Sequence, residues 1–143
     1  MLYTELTKKA IRIMFDAHKD QVDKSGLPYV FHPFIVANNL DDEYSIVVAL
    51  LHDVVEDTEI TFVDLEKEFP KEIIEALKLL THDDSEDYFE YVNKIKTNPI
   101  AKKVKISDLT HNSDLSRMDE ITEYDLKRQE KYKRALEILK GEN

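Results

Sequence analysis

The segment His52-Asp53-Val54-Val55-Glu56-Asp57 places one imidazole and three carboxylates within six residues. Imidazole nitrogens and carboxylate oxygens are donors for manganese, iron, cobalt or zinc, whereas thiolate-preferring ions find no cysteine in this chain. Residues four apart share a helix face, so the spacing predicts His52 above Glu56 and Asp53 above Asp57. The C-terminal end of a helix already carries partial negative charge, and three carboxylates there are unfavourable unless a cation compensates. Either a metal ion binds, or the acids turn to water with His52 as a helix-end cation. His32, just before Pro33, and Asp108, in Lys105-Ile106-Ser107-Asp108, could complete a site. Alone, His32 reads as a capping or core histidine and Asp108 as an ion-pair partner of Lys105 or Lys102. Together, His32, His52, Asp53 and Asp108 form a nitrogen and oxygen set that leaves a six-coordinate ion open to water or phosphate oxygens. Glu56 or Asp57, one turn on, could then accept a proton as general base.

These residues need elements to hold them, and the pattern predicts helices throughout. Only two glycines and four prolines occur, and apolar residues recur at helical intervals. Thr4 caps a first helix with Leu6, Ala10, Ile13, Met14 and Ala17 on one face. Ser25-Gly26-Leu27-Pro28 is a turn, and a short second helix opens at Pro33. A third runs from about Glu43 to Asp57, and its centre, Ile46 to Leu51, is apolar all round, as a buried central helix requires. Thr61 with Asp64 reads as a capping box for a short helix to Phe69, and Pro70 opens the next, with Ile73, Ile74, Leu77 and Leu80 along one side. Ser85 caps a helix bearing Tyr88, Tyr91, Val92 and Ile95. Asn98-Pro99 opens one through about Leu109, and Thr122 with Asp125 opens the last. The expectation is an all-α bundle of seven or eight helices around one buried helix.

At 143 residues the chain has the size of one domain, and 42% hydrophobic content is too apolar for a disordered tail. The longest apolar run is six residues, and the N-terminus lacks a signal pattern. Without cysteines there is no disulfide scaffold and no thiol nucleophile. The expectation is a cytoplasmic domain without a membrane span. The net charge is −10, and residues 41–90 hold 17 acids against three bases. Such a chain is a poor general binder of nucleic acid, and no obligatory protein partner is called for. A polyphosphate would have to approach over basic residues outside the acidic middle. Lys24, Lys102, Lys103, Lys105 and Arg128 are the candidates, each with the plainer reading of a solvated surface side chain.

Three stretches carry a resemblance: Gly26-Leu27-Pro28-Tyr29-Val30-Phe31-His32-Pro33, Leu50-Leu51-His52-Asp53-Val54-Val55-Glu56-Asp57-Thr58, and Lys105-Ile106-Ser107-Asp108-Leu109-Thr110-His111-Asn112. In order and spacing they resemble the HD-domain hydrolases of the RelA/SpoT type, which include the small alarmone hydrolases and Mesh1-like animal proteins. The likeness runs from about Ala10 to Leu139. It implies a single HD domain over residues 1–143, with His32, His52, Asp53 and Asp108 holding one manganese ion and Glu56 and Asp57 activating or orienting the attacking water. It also implies that Lys24 and Ser25 line a nucleotide pocket and that Asn112 lies near ribose and phosphate. The synthetase domain of the long bifunctional members does not follow, so the likeness implies a hydrolase-only member. Its expected reaction removes pyrophosphate from the 3′ position of guanosine tetra- or pentaphosphate.

Two positions depart from the family pattern. Asp23 stands where an arginine usually precedes the first histidine by nine residues, and Leu109 where an arginine follows the last aspartate. An aspartate cannot stack a guanidinium on a purine and would repel phosphates. Alternative substrates are therefore an adenosine alarmone or NADPH. A different class of function is a nucleotide-binding regulatory module without turnover, against which the retention of Glu56 and Asp57 argues. A helical interaction protein with incidental His and Asp residues is a third.

Overall fold

In the computed structural model, which describes residues 1–141, the first helix, α1 (Glu5–His18), starts where Thr4 accepts the Thr7 N–H, and the Thr7 side chain caps in return. It is followed by α2 (Phe31–Asn38) and α3 (Glu43–Leu51), then two short helices, α4 (Val54–Asp57) and α5 (Phe62–Glu66). The remaining four are α6 (Lys71–Leu80), α7 (Tyr88–Lys96), α8 (Pro99–Asn112) and α9 (Glu123–Lys140). No strand is formed among the described residues, only a lone bridge between Val22 and Pro28. The all-α expectation holds. Among the described residues, no helix is long and apolar enough to cross a membrane.

The buried helix is α3. Every residue from Ser45 to Leu51 is fully buried, and α1, α2, α6 and α8 pack around it. Asp42 starts it by accepting the Ser45 N–H. On the far side, α9 lies across α7 and α8. The capping boxes at Thr61 and Thr122 and the Asn98 cap form as the sequence predicts.

α5 stops at Glu66, short of Phe69, and α8 runs on to Asn112, past Leu109; three further differences have a local cause. First, α2 begins at Phe31, two residues ahead of Pro33, which sits within the first turn, where its missing N–H costs nothing. Second, Asp87 rather than Ser85 caps α7, accepting the N–H groups of Phe89 and Glu90. Ser85 is engaged elsewhere, with its N–H and hydroxyl on Asp83 Oδ1. Third, the helix expected to run on to Asp57 breaks after Leu51. His52 Nδ1 lies 2.5 Å from the Ala49 carbonyl, the group to which the Asp53 N–H would donate in an unbroken helix. His52 and Asp53 form a turn, and α4 restarts the spiral, which raises the number of helices among the described residues to nine.

Because α3 touches four other helices, a cavity cut into it weakens the whole domain. Leu50→Ala should cost about 2–5 kcal/mol in urea-induced unfolding. The exposed Val63→Ala should stay within about 0.5 kcal/mol.

Candidate metal centre and the cavity beside it

The break after α3 aims two side chains at one point. His52 caps the helix while Asp53 lies in the turn, and their Nε2 and Oδ2 atoms are 3.1 Å apart. From α2, His32 brings its Nε2, and from α8, Asp108 brings Oδ1, 2.8 Å from His32 Nε2 and 3.4 Å from His52 Nε2. Donor atoms of His32, His52 and Asp53 all lie within 4.8 Å of one another, a group that could hold a metal ion. All four residues named from the sequence therefore meet.

The hydrogen bonding around His52 tests whether a cation fits. A carbonyl only accepts, so Nδ1 facing the Ala49 carbonyl carries the proton. Nε2 then presents a lone pair, is buried, and has no hydrogen-bond partner. A lone pair facing the oxygens of Asp53 and Asp108 is stable only with positive charge between them, either a second proton on His52 or a metal ion. With the proton, burial opposes the imidazolium but Asp53 and Asp108 prevail, raising His52 well above its usual range. Burial likewise works against the Asp53 carboxylate, yet His52 brings it down to about 2. Asp108 stays far below the ordinary carboxylate range despite burial, chiefly because of Lys105. A nitrogen and oxygen donor set of this kind fits a divalent ion such as manganese, iron, cobalt or zinc.

Neighbours fix each donor. Tyr29 donates its hydroxyl to Asp53 Oδ2, and burial, then the Asp53 charge, keeps that phenol protonated. Asp108 Oδ2 meets Lys105 Nζ at 3.1 Å, and its Oδ1 accepts from Asn112 at 3.2 Å. Lys105 is thus the counter-ion of Asp108, one of the two plain readings of its sequence position. His32 Nδ1 lies 2.7 Å from His111 Nδ1. The two rings are 22° from parallel with centroids 5.0 Å apart, the spacing of imidazoles joined nitrogen to nitrogen near one plane. When His32 gives its Nε2 lone pair to a cation, its proton sits on Nδ1 and donates to His111.

A cavity of about 440 Å³ opens beside this cluster, lined by His32, Asp53 and Asp108. Lys24, Ser25, Lys105, Asn112 and Arg128, the residues named from sequence for a nucleotide, also line it. Lys24 lies over the Tyr124 ring, while Arg128 donates to the Tyr132 hydroxyl and faces both tyrosines. Lys102 and Lys103 are not among the lining residues, and Lys103 instead pairs with Asp42 at 3.2 Å. Glu56 and Asp57 are exposed and do not line the cavity, although the Asp57 N–H still donates to the Asp53 carbonyl one turn back. Glu56 Oε1 instead accepts the His82 N–H at 2.9 Å. Partial desolvation raises both carboxyls above their usual values. For Asp57 the nearby Asp53 adds to it, and for Glu56 the His82 hydrogen bond only partly offsets it.

No protein-family model matches the chain. SpoT of Escherichia coli K12, a bifunctional (p)ppGpp synthase/hydrolase, is 34% identical over 120 residues, which cover 73% of this chain. The guanosine-3′,5′-bis(diphosphate) 3′-pyrophosphohydrolase of Haemophilus influenzae is 34% identical over 113 residues, covering 68% of this chain and 16% of its own length. The chain spans only 17% of the length of SpoT. A solved structure of a metazoan SpoT ortholog that hydrolyses ppGpp matches with a TM-score of 0.77 at 26% identity, covering 100% of this chain and 90% of that one. The chain belongs to the RelA/SpoT-type HD family.

Tyr29 and His111, which touch the candidate ligands Asp53 and His32, lie within the same stretches but had no role assigned from sequence. Their signal was spacing. Tyr29 stands three residues before His32, and His111 three after Asp108 on the same helix face. His111→Ala should weaken divalent-ion binding by about 10- to 100-fold in equilibrium dialysis against manganese, the usual effect of losing a partner behind a ligating histidine. An unchanged affinity would show that His32 needs no such partner.

Proposed function

We propose that this domain is a metal-dependent phosphohydrolase that removes the 3′-pyrophosphate of guanosine tetra- or pentaphosphate, with manganese as its ion. The observation that carries this reading is the buried, unpartnered Nε2 of His52, converging with His32, Asp53 and Asp108, the last three of which line a cavity that also holds four lysine and arginine side chains. The kinship with SpoT and with the ppGpp-hydrolysing metazoan ortholog supports the substrate.

His32, His52, Asp53 and Asp108 would hold the ion, which supplies a Lewis acid for a phosphoryl oxygen and lowers the pKa of bound water. In the net reaction, water adds to the phosphorus attached to O3′. The P–O3′ bond breaks, the 3′ oxygen takes a proton, and pyrophosphate leaves. Glu56 and Asp57 are the candidates to take the proton from water. Their raised pKa values suit a base that must hold that proton briefly. Glu56 is steadied through Oε1 on the His82 N–H. Because neither acid lines the cavity, the proton reaches them through an intervening water. Asn112, Lys24, Ser25 and Arg128 would bind the sugar and phosphates, while Lys105 holds Asp108 ionised and in place.

Purified protein with manganese should release GDP and pyrophosphate from guanosine tetraphosphate, and Asp53→Ala should lower the rate at least about 100-fold while remaining folded. Turnover of the adenosine counterpart or of NADPH alone would reassign the substrate, and no turnover with tight nucleotide binding would make the domain a regulatory module. If Glu56 is the base, the rate should fall as pH falls through a pKa above that of an ordinary glutamate, and Glu56→Gln should abolish that acid limb. A limb left intact in Glu56→Gln would move the role to Asp57.

A further inference from the structure

Asp23 occupies a position where a bare anion would repel a nucleotide, yet both of its oxygens are engaged. Oδ1 accepts the N–H groups of Ser25 at 2.8 Å and Leu27 at 3.0 Å, and Oδ2 accepts Arg117 Nη1 at 3.2 Å. The carboxylate closes the turn in which Gly26 adopts φ 79°, a conformation that strains other residues. It also holds a cation from the segment between α8 and α9, 94 residues away. Asp23 and Arg117 both line the cavity beside the metal centre.

The cavity's four lysine and arginine residues are not equivalent. Lys24 lies over Tyr124, Lys105 over Tyr91, and Arg128 against Tyr124 and Tyr132. Among the described residues, Arg117 has no aromatic ring against its guanidinium, and 30% of its side chain is exposed. The Asp23 carboxylate holds the Arg117 guanidinium through Nη1 while its Nε is buried without a partner, and an in-plane contact of this kind orients and partly neutralises the group without using its flat faces. Such a group attracts phosphates weakly and suits stacking on a flat heterocycle.

We propose that Arg117, held in place by Asp23, is a specificity-determining residue that stacks on the purine base of the substrate. The assignment rests on the nucleotide reading above, but its test does not depend on turnover. Calorimetry with manganese present would measure binding of GDP and of inorganic pyrophosphate to the intact protein and to Arg117→Ala, Arg117→Lys and Asp23→Asn. Both Arg117 variants should bind GDP about tenfold more weakly and leave pyrophosphate affinity within about twofold, since lysine keeps the charge but not the flat face. Asp23→Asn keeps an oxygen for the Ser25 and Leu27 N–H groups while losing the charge that orients Arg117. It should weaken GDP and tighten pyrophosphate. Equal weakening of both ligands in Arg117→Ala would make Arg117 a phosphate contact and overturn the proposal. So would an unchanged GDP affinity in that variant, full retention in Arg117→Lys, or an intact protein that binds GDP no better than pyrophosphate. Failure of the hydrolase reading would appear separately, as absent product release by the intact protein.

Discussion

The buried carboxylate of Asp108 is the interaction on which the rest of the structure turns. Removing an ionised carboxylate from water is costly unless each oxygen finds positive charge or a donor. Asp108 meets that demand on two sides: Lys105, one turn earlier on the same helix, takes Oδ2, while Oδ1 faces the imidazoles of His32 and His52 and accepts from Asn112. That arrangement pins α2, the end of α3 and α8 to a common point. The apolar packing of α3 sets the depth of the site, and the charge balance around Asp108 sets its identity.

Around this point the domain divides its work between rigid and adaptable parts. The helices that donate the candidate ligands also build the core, so small displacements of those side chains are resisted by close packing. The opposite wall of the cavity comes from the loop at residues 22–25, the segment after α8 and the first half of α9, regions richer in exposed charge. A rigid candidate ligand cluster under a more exposed rim would let the rim vary while the cluster is kept. Asp23 is a case in point. It departs from the family pattern, yet through Arg117 it still brings a guanidinium to the cavity.

Much of this was legible in the sequence, because its signals are local. Thr4, Thr61, Asn98 and Thr122 are capping residues whose partners lie two or three positions on, and the all-apolar run from Ile46 to Leu51 could only be a buried helix. The four donors were readable because few residue types ligate metals and all four sit within the three family-like stretches of compatible spacing. What escaped depended on side chains competing for backbone groups or on contacts distant in sequence. His52 takes the Ala49 carbonyl at a break in a helix that periodicity alone continued, and Glu56 and Asp57 beyond it do not line the cavity. Asp83 claimed Ser85 and left the start of α7 to Asp87. Nothing near Asp23 in sequence announces Arg117.

That the candidate ligands come from α2, from α8 and from the turn directly after the buried α3 joins ion occupancy to the survival of the fold. An ion that binds the folded chain and not the unfolded one adds about 2.7 kcal/mol to stability when free ion exceeds its dissociation constant a hundredfold. Conditions that strip the ion would leave His52 to balance Asp53 and Asp108 with a proton alone, and would raise the fraction of molecules open to proteases. Metal supply would then govern how much of the protein a cell retains, a slower control than any exerted on turnover.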